Sequence, residues 1–191
     1  MNLKGKRVAV LVEQKYEELE VWYPTLRLRE AGATVELVGP EVGKTYPSKL
    51  GYPAKTTLAA ADAKASDFDG VVIPGGFAPD YVRRCGAMLE LVRGLHARAK
   101  PLAAICHGPW VLCSTPALKG RTATGFHSIR DDMENAGATF VDREVVMTLP
   151  STTTSRSTYF APALTTSSLI EWKQVAVLPL RADVEHSTQG P

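Results

Sequence analysis

Short apolar runs alternate with longer stretches of helical periodicity along most of this chain, and that alternation restricts the fold more than any other feature. Residues 7–12, RVAVLV, read as a buried strand, and EELEVWYPTLRLREA (17–31) follows as a helix. Leu19, Trp22, Tyr23, Leu26 and Leu28 stand near helical spacing, with acids first and basic residues later, as the helix dipole prefers. Pro24 should kink this helix and Gly32 should end it. TVELV (34–38) is the next strand, and residues 39–57, with three prolines and three glycines, read as loop or a short hairpin. DFDGVVIPGG (67–76) is a strand ending in a tight glycine pair, 86–99 a helix, 101–105 a strand and 107–114 the start of a further helix. Over 131–142 a helix stops at Gly137 and a strand follows. Strands alternating with helices imply a mostly parallel central sheet covered on both faces, a three-layer α/β/α sandwich of flavodoxin-like kind. In such sheets ligands bind at the carboxyl ends of the strands, and both PGG (74–76) and CHGP (106–109) fall there.

Composition narrows the function classes. At 191 residues, 45% apolar and 22% charged, the chain has enough material for one buried core and is not of disordered type. A net charge of +2 without a dense basic run gives no reason to expect nucleic acid or an anionic membrane as partner. The opening stretch MNLKGKRVAVLVEQ is too briefly apolar for a signal peptide or a membrane span, so a cytoplasmic protein is expected. Cys85, Cys106 and Cys113 lack CxxC spacing and a matching histidine pair; neither a disulfide scaffold nor a metal site is expected, and a single special thiol is the better reading.

Cys106 is that thiol. A cysteine attacks as thiolate, and a strand-to-helix turn aims the backbone amides of a helix N-terminus at the sulfur, which should lower its pKa. Gly108 suits a crowded turn and Pro109 the first turn of a helix. Cys113, on the helix that follows, and Cys85 read as small apolar residues instead. His107 is the candidate base and needs a third group to orient it. Carboxylates at strand ends are Glu17, Glu18 and Asp80. Glu17, just after the first strand, could face the thiol and donate a hydrogen bond to it, or Glu17 and Glu18 could merely complement a helix N-terminus. Gly75 and Gly76 could present N–H groups to an oxyanion, or could form a plain tight turn.

With AICHGP (104–109), VIPGGFAPDYVR (72–83), YEELEVWYP (16–24) and IRDDMENAGATFVDREVV (129–146), the chain resembles the DJ-1/PfpI superfamily, PfpI-like branch, of the class I glutamine amidotransferase-like fold. The resemblance implies that Cys106 is an elbow nucleophile and that Glu17 is the carboxyl hydrogen-bonded to it. Gly75 and Gly76 would belong to the oxyanion pocket, and His107 would be a base oriented by an acid from a neighbouring subunit. The position matching that acid is Asp80, one methylene shorter than a glutamate. Also implied are a homodimer or higher homo-oligomer, no cofactor, and one of several activities. These are hydrolysis of peptides, conversion of methylglyoxal to lactate, deglycation of early carbonyl adducts, or a chaperone or stress role. The expectation is a cysteine-dependent hydrolase or lyase acting on small carbonyl compounds, their protein adducts or peptides. The alternative is a redox-responsive stress protein with an oxidisable Cys106.

The C-terminal part departs from that pattern. Eleven of the eighteen residues from Ser151 to Ser168 are Ser or Thr, while EWKQVAVLPLRADV (171–184) could supply one short strand. The compact domain is therefore set at 1–146, with 147–191 a divergent tail, loosely structured or the product of a shifted reading frame.

Overall fold

Side-chain alternation along β1 (Arg7–Leu11) accounts for the layering of the molecule. Val8 and Val10 join a core with α1 (Glu18–Glu30) on one face of the sheet. Ala9 and Leu11 join a second core with α3 (Gly86–Ala97) and α4 (Pro109–Cys113) on the other. A strand buried on both faces has no polar side to offer, which is why RVAVLV shows no polar alternation. Each fully buried aliphatic side chain here contributes about 1.5–3 kcal/mol. The computed structural model describes residues 2–147 and 175–178.

After β2 (Thr34–Gly39), the proline- and glycine-rich segment forms a hairpin of β3 (Thr45–Pro47) and β4 (Pro53–Lys55), then the edge strand β5 (Leu58–Ala59). β6 (Gly70–Ile73) follows, with α2 (Ala78–Arg84) ahead of α3, then β7 (Leu102–Ile105) and α4. A small parallel pair, β8 (Thr122–Ala123) with β9 (Thr139–Phe140), flanks α5 (Arg130–Asn135). The main sheet is completed by β10 (Val145–Met147) and β11 (Val175–Leu178), in the order β10-β11-β7-β6-β1-β2-β5. Its pairings are parallel except for β11 against β7. The expected three-layer sandwich with a mostly parallel sheet is the fold observed.

α1 runs through Pro24 without ending there, and the Thr25 hydroxyl donates back to the Val21 carbonyl at 2.7 Å. The strand expected within 171–184 is β11, which lies inside the sheet between β10 and β7. The rest of the tail beyond Met147, including the serine- and threonine-rich stretch, lies outside the described residues. Among the described residues, no helix is long and apolar enough to cross a membrane.

From β1 the chain builds outward through β2 and β5, then returns to the other side of β1 for β6 and β7. The reversal between β1 and β6 leaves a crevice at their carboxyl ends, where open α/β sheets bind ligands. The segments that follow β1, β6 and β7 all meet there.

Candidate active site

At the end of β7 the backbone turns sharply. Cys106 has φ +56°, a left-handed conformation that is costly for a residue with a Cβ and persists where its surroundings enforce it. The Gly108 N–H donates to the Ile105 carbonyl at 2.7 Å, and the Phe126 N–H to the Cys106 carbonyl at 2.7 Å. A Cβ on Gly108 would lie 2.1 Å from the Ile73 carbonyl oxygen, so no side chain fits beneath the elbow. The thiol is thus lifted out of the sheet, and its sulfur stands 3.2 Å from His107 Nδ1. Residues adjacent in sequence do face each other here, because the strained turn rotates both side chains to one side.

The acids of EELE separate completely. Glu17 forms an ion pair with Lys49. Glu18 accepts from the Ser48 hydroxyl and, at 3.0 Å, from the Leu50 N–H, which fixes the loop after β3. Glu20 turns inward: its Oε2 accepts from the Gly75 N–H at 2.6 Å, and its carboxyl is hydrogen-bonded with the Cys106 thiol. The carboxyl at the thiol is therefore Glu20 and not the expected Glu17. The reason is helical phase. Backbone pairing of Tyr16 with Gly76 makes Glu17 the residue before α1, in extended conformation, and the third helical position is the one that points into the crevice.

The glycine pair and Asp80 are placed as follows. The Gly75 N–H already holds Glu20, so it is not open to an oxyanion while that bond lasts. Gly75 is required for another reason: a Cβ would come within 2.6 Å of Glu20 Oε2, 2.9 Å of the His107 backbone nitrogen and 3.0 Å of the Cys106 Cβ. Gly76, at φ +72°, is packed against the Lys15–Glu17 turn. Asp80 lies on α2 with its carboxylate on Arg84 at 3.1 Å; in its own chain the group at His107 Nε2 is the Ser128 hydroxyl, at 3.1 Å. Phe126 stacks on the His107 ring with centroids 4.6 Å apart. Glu20, Lys49, Phe126 and Ser128 were not singled out from the sequence. Glu20 shared the signal that drew attention to Glu17, whereas nothing in the sequence marks Ser128.

Electrostatics revise the expected source of reactivity. Burial, joined by the negative charge of Glu20, pushes the Cys106 thiol up to about 12, outweighing the His107 N–H that favours the thiolate. α4 has five residues, too short for a substantial dipole, so the expectation of a thiol lowered by the helix terminus is not met. Burial likewise raises Glu20 to about 7, helped by the charge of Glu17. A crevice of low dielectric tolerates one negative charge on the pair but strongly opposes two. His107 is held below its usual value by burial, then by His127 and Lys49, so its ring is neutral and able to accept a proton at neutral pH. Among the described residues, no group of three or more His, Cys, Asp or Glu is placed to hold a metal ion.

A parallel-sheet sandwich carrying a cysteine at a strained strand-to-helix elbow, against a carboxyl and an imidazole, defines a class of thiol-centred proteins of the glutamine amidotransferase-like fold. The model of the DJ-1/PfpI family matches residues 6–171, and this chain belongs to that family. General stress protein 18 of Bacillus subtilis is 42% identical over 166 residues, covering 86% of this chain and 96% of that protein. Deglycase PfpI of Pyrococcus furiosus is 40% identical over 141 residues, covering 74% of this chain and 84% of that protein. Among solved structures, DJ-1beta of Drosophila melanogaster superposes with a TM-score of 0.67 at 25% identity, over 75% of each chain.

Proposed function

We propose that this chain is a cofactor-independent, cysteine-dependent enzyme acting on small carbonyl compounds or their protein adducts, a glyoxalase or deglycase. The observation that carries this reading is the Cys106 sulfur 3.2 Å from a neutral His107 nitrogen and hydrogen-bonded with a carboxyl whose pKa is near the working pH. A relative named a deglycase, at 40% identity, supports it. Cys106 Sγ adds to the aldehyde carbon of methylglyoxal, the thiol proton passes to His107 Nδ1, and protonated Glu20 delivers a proton to the carbonyl oxygen, giving a hemithioacetal. Glu20, now a carboxylate, removes the hydrogen from that carbon while His107 gives the thiol's proton to the ketone oxygen, forming an enediol. Glu20 then returns its proton to the neighbouring carbon and takes the proton of the first hydroxyl, leaving a thioester, a neutral imidazole and a protonated Glu20. The resulting thioester is hydrolysed by water, releasing lactate and the thiol. Aldehyde oxidation is balanced by ketone reduction within one molecule, so no external electron carrier is needed. Gly76 remains the glycine proposed to assist the developing oxyanion, as Gly75 is engaged with Glu20. Peptides are the other proposed substrate class. The protein is proposed to work in the cytoplasm as a homodimer or larger homo-oligomer; exposed Leu19, Leu26 and Phe77 offer apolar surface for such contacts.

The second reading, a redox-responsive stress protein, is favoured by the name of General stress protein 18. In it Cys106 is oxidised and nothing is turned over. Lactate formation from methylglyoxal by wild type and Cys106→Ser decides between them. Turnover lost in the variant supports the enzyme. No turnover by either protein, with peroxide-induced mass gain confined to Cys106, supports the sensor.

A further inference from the structure

A base that takes a proton at Nδ1 must carry its own proton on Nε2, and a free imidazole is not committed to that tautomer. In this chain Nε2 faces the Ser128 hydroxyl at 3.1 Å while Nδ1 faces the thiol at 3.2 Å. The serine is carried on the single turn His127–Ile129, which one hydrogen bond ties to the elbow and another closes on itself. The Phe126 N–H holds the Cys106 carbonyl at 2.7 Å, and the Ile129 N–H bonds the Phe126 carbonyl at 3.0 Å, with the Ile129 side chain buried. The ring is also held in plane by Phe126, stacked at 4.6 Å. The backbone that carries Ser128 is thus anchored on the same elbow that carries His107.

We infer that Ser128 is a positioning residue for His107: its hydroxyl oxygen accepts the Nε2 proton, commits the ring to the tautomer that can receive the Cys106 proton at Nδ1, and fills within one chain the place of an orienting acid. The inference rests on the thiol–imidazole reading of the site given above. A hydroxyl suits this task in one respect that a carboxylate does not. It accepts from Nε2–H both before and after Nδ1 takes the thiol proton, so no group reorganises, and it adds no charge to a crevice already crowded with acids. Without that charge the imidazolium is not held as a resting ion pair, in keeping with His107 staying neutral. In its own chain the Asp80 carboxylate is engaged by Arg84 on α2.

The test uses the full chain with nitrogen-15-labelled histidine, in wild type, S128A, S128T and D80N. Wild-type His107 is expected as the Nε2–H tautomer. S128A should give a mixed tautomer and a kcat about ten- to a hundredfold lower, with KM little changed, since misplaced groups reduce kcat on that scale. S128T should restore both. Wild-type tautomer and kcat in S128A overturn the inference, as does a fall in kcat with the tautomer intact, or a loss in D80N exceeding that in S128A. If wild type itself converts no carbonyl compound, the proposed function fails while the tautomer still decides Ser128: its loss in S128A supports the positioning role and its retention overturns it.

Discussion

Two thiols bracket helix α4, and burial treats them almost alike. Cys106 precedes the helix and Cys113 closes it; both are partly buried, and desolvation pushes them up to about 12 and about 11. If burial and a nearby helix made a nucleophile, both or neither would serve. What separates them is geometry and company. Cys106 sits at φ +56° with His107 at 3.2 Å and the Glu20 carboxyl against it, whereas Cys113 lies in ordinary helix, influenced by Asp132 and Arg83. On the proposed mechanism, reactivity depends on where a thiol's proton can go, more than on how readily an isolated thiol would lose it.

The sharpest test of that contrast exchanges each sulfur for oxygen. Cys106→Ser should reduce lactate formation to background, and Cys113→Ser should leave it close to wild type. Limited alkylation at neutral pH followed by mass spectrometry should label Cys106 first. Equal labelling of both cysteines would remove the distinction.

The next effect concerns the backbone that creates the difference. Gly108→Ala places a methyl group 2.1 Å from a backbone oxygen that cannot swing away, so the elbow must move or the domain must open. Overpacking of this kind costs about 1–3 kcal/mol and more where backbone is the obstacle, so this variant should melt many degrees below wild type. In Gly75→Ala the closest obstacle is the Glu20 side chain, which can rotate, but the His107 backbone nitrogen at 2.9 Å cannot, so activity and stability should both fall, stability by less than in Gly108→Ala. A melting temperature unchanged in Gly108→Ala would mean that the turn is not rigidly set.

How much of this was legible in the sequence follows from range. The elbow is local: CHGP after an apolar run states strand, turn and helix within a few residues, and the sulfur, the imidazole and the glycine under them are where that stretch implies. Alternation of strand and helix likewise implied the parallel sheet, although α2 and the two-residue edge strand β5 were too short to leave a periodic signal. The choice among Glu17, Glu18 and Glu20 was not local. It depends on the residue at which α1 begins, and that is set by Tyr16 pairing with Gly76, sixty positions away. Ser128 reaches His107 across 21 positions of chain, a distance that no spacing rule connects.

Glu20 supplies a smaller, signed effect. Its pKa rises on folding from 4.5 to about 7, so between those values the folded chain binds the proton more tightly than the unfolded one. Stability therefore falls as pH climbs from 4.5 to 7, by at most about 3 kcal/mol, and stays reduced above 7. Glu20→Gln should flatten this decline, melt higher than wild type above pH 7, and turn over poorly, having lost the group that moves protons. The alkylation rate of wild-type Cys106 should also show an inflection near 7, where the carboxyl–thiol pair loses its first proton, and Glu20→Gln should lack it. Identical profiles in the two proteins would mean that sulfur and carboxyl do not share a proton.

The smallest effect is reserved for the acid that sequence reading had placed at the thiol. Glu17 is paired with Lys49 at the rim of the crevice, and both side chains keep contact with water, 25% and 37% exposed. An ion pair of that kind contributes about 0–1 kcal/mol. Glu17→Gln should accordingly shift the denaturation midpoint little and change with salt, and it should leave the Cys106 inflection near 7 in place. Its influence on the site is electrostatic and indirect: the Glu17 charge raises both Glu20 and Cys106, so its loss should move the inflection slightly toward acid. Lys49→Met should shift it the opposite way, because the ammonium favours the ionised form of Glu20. Loss of the inflection in Glu17→Gln, with retention in Glu20→Gln, would return the thiol's partner to Glu17 and overturn the assignment of the inner carboxyl.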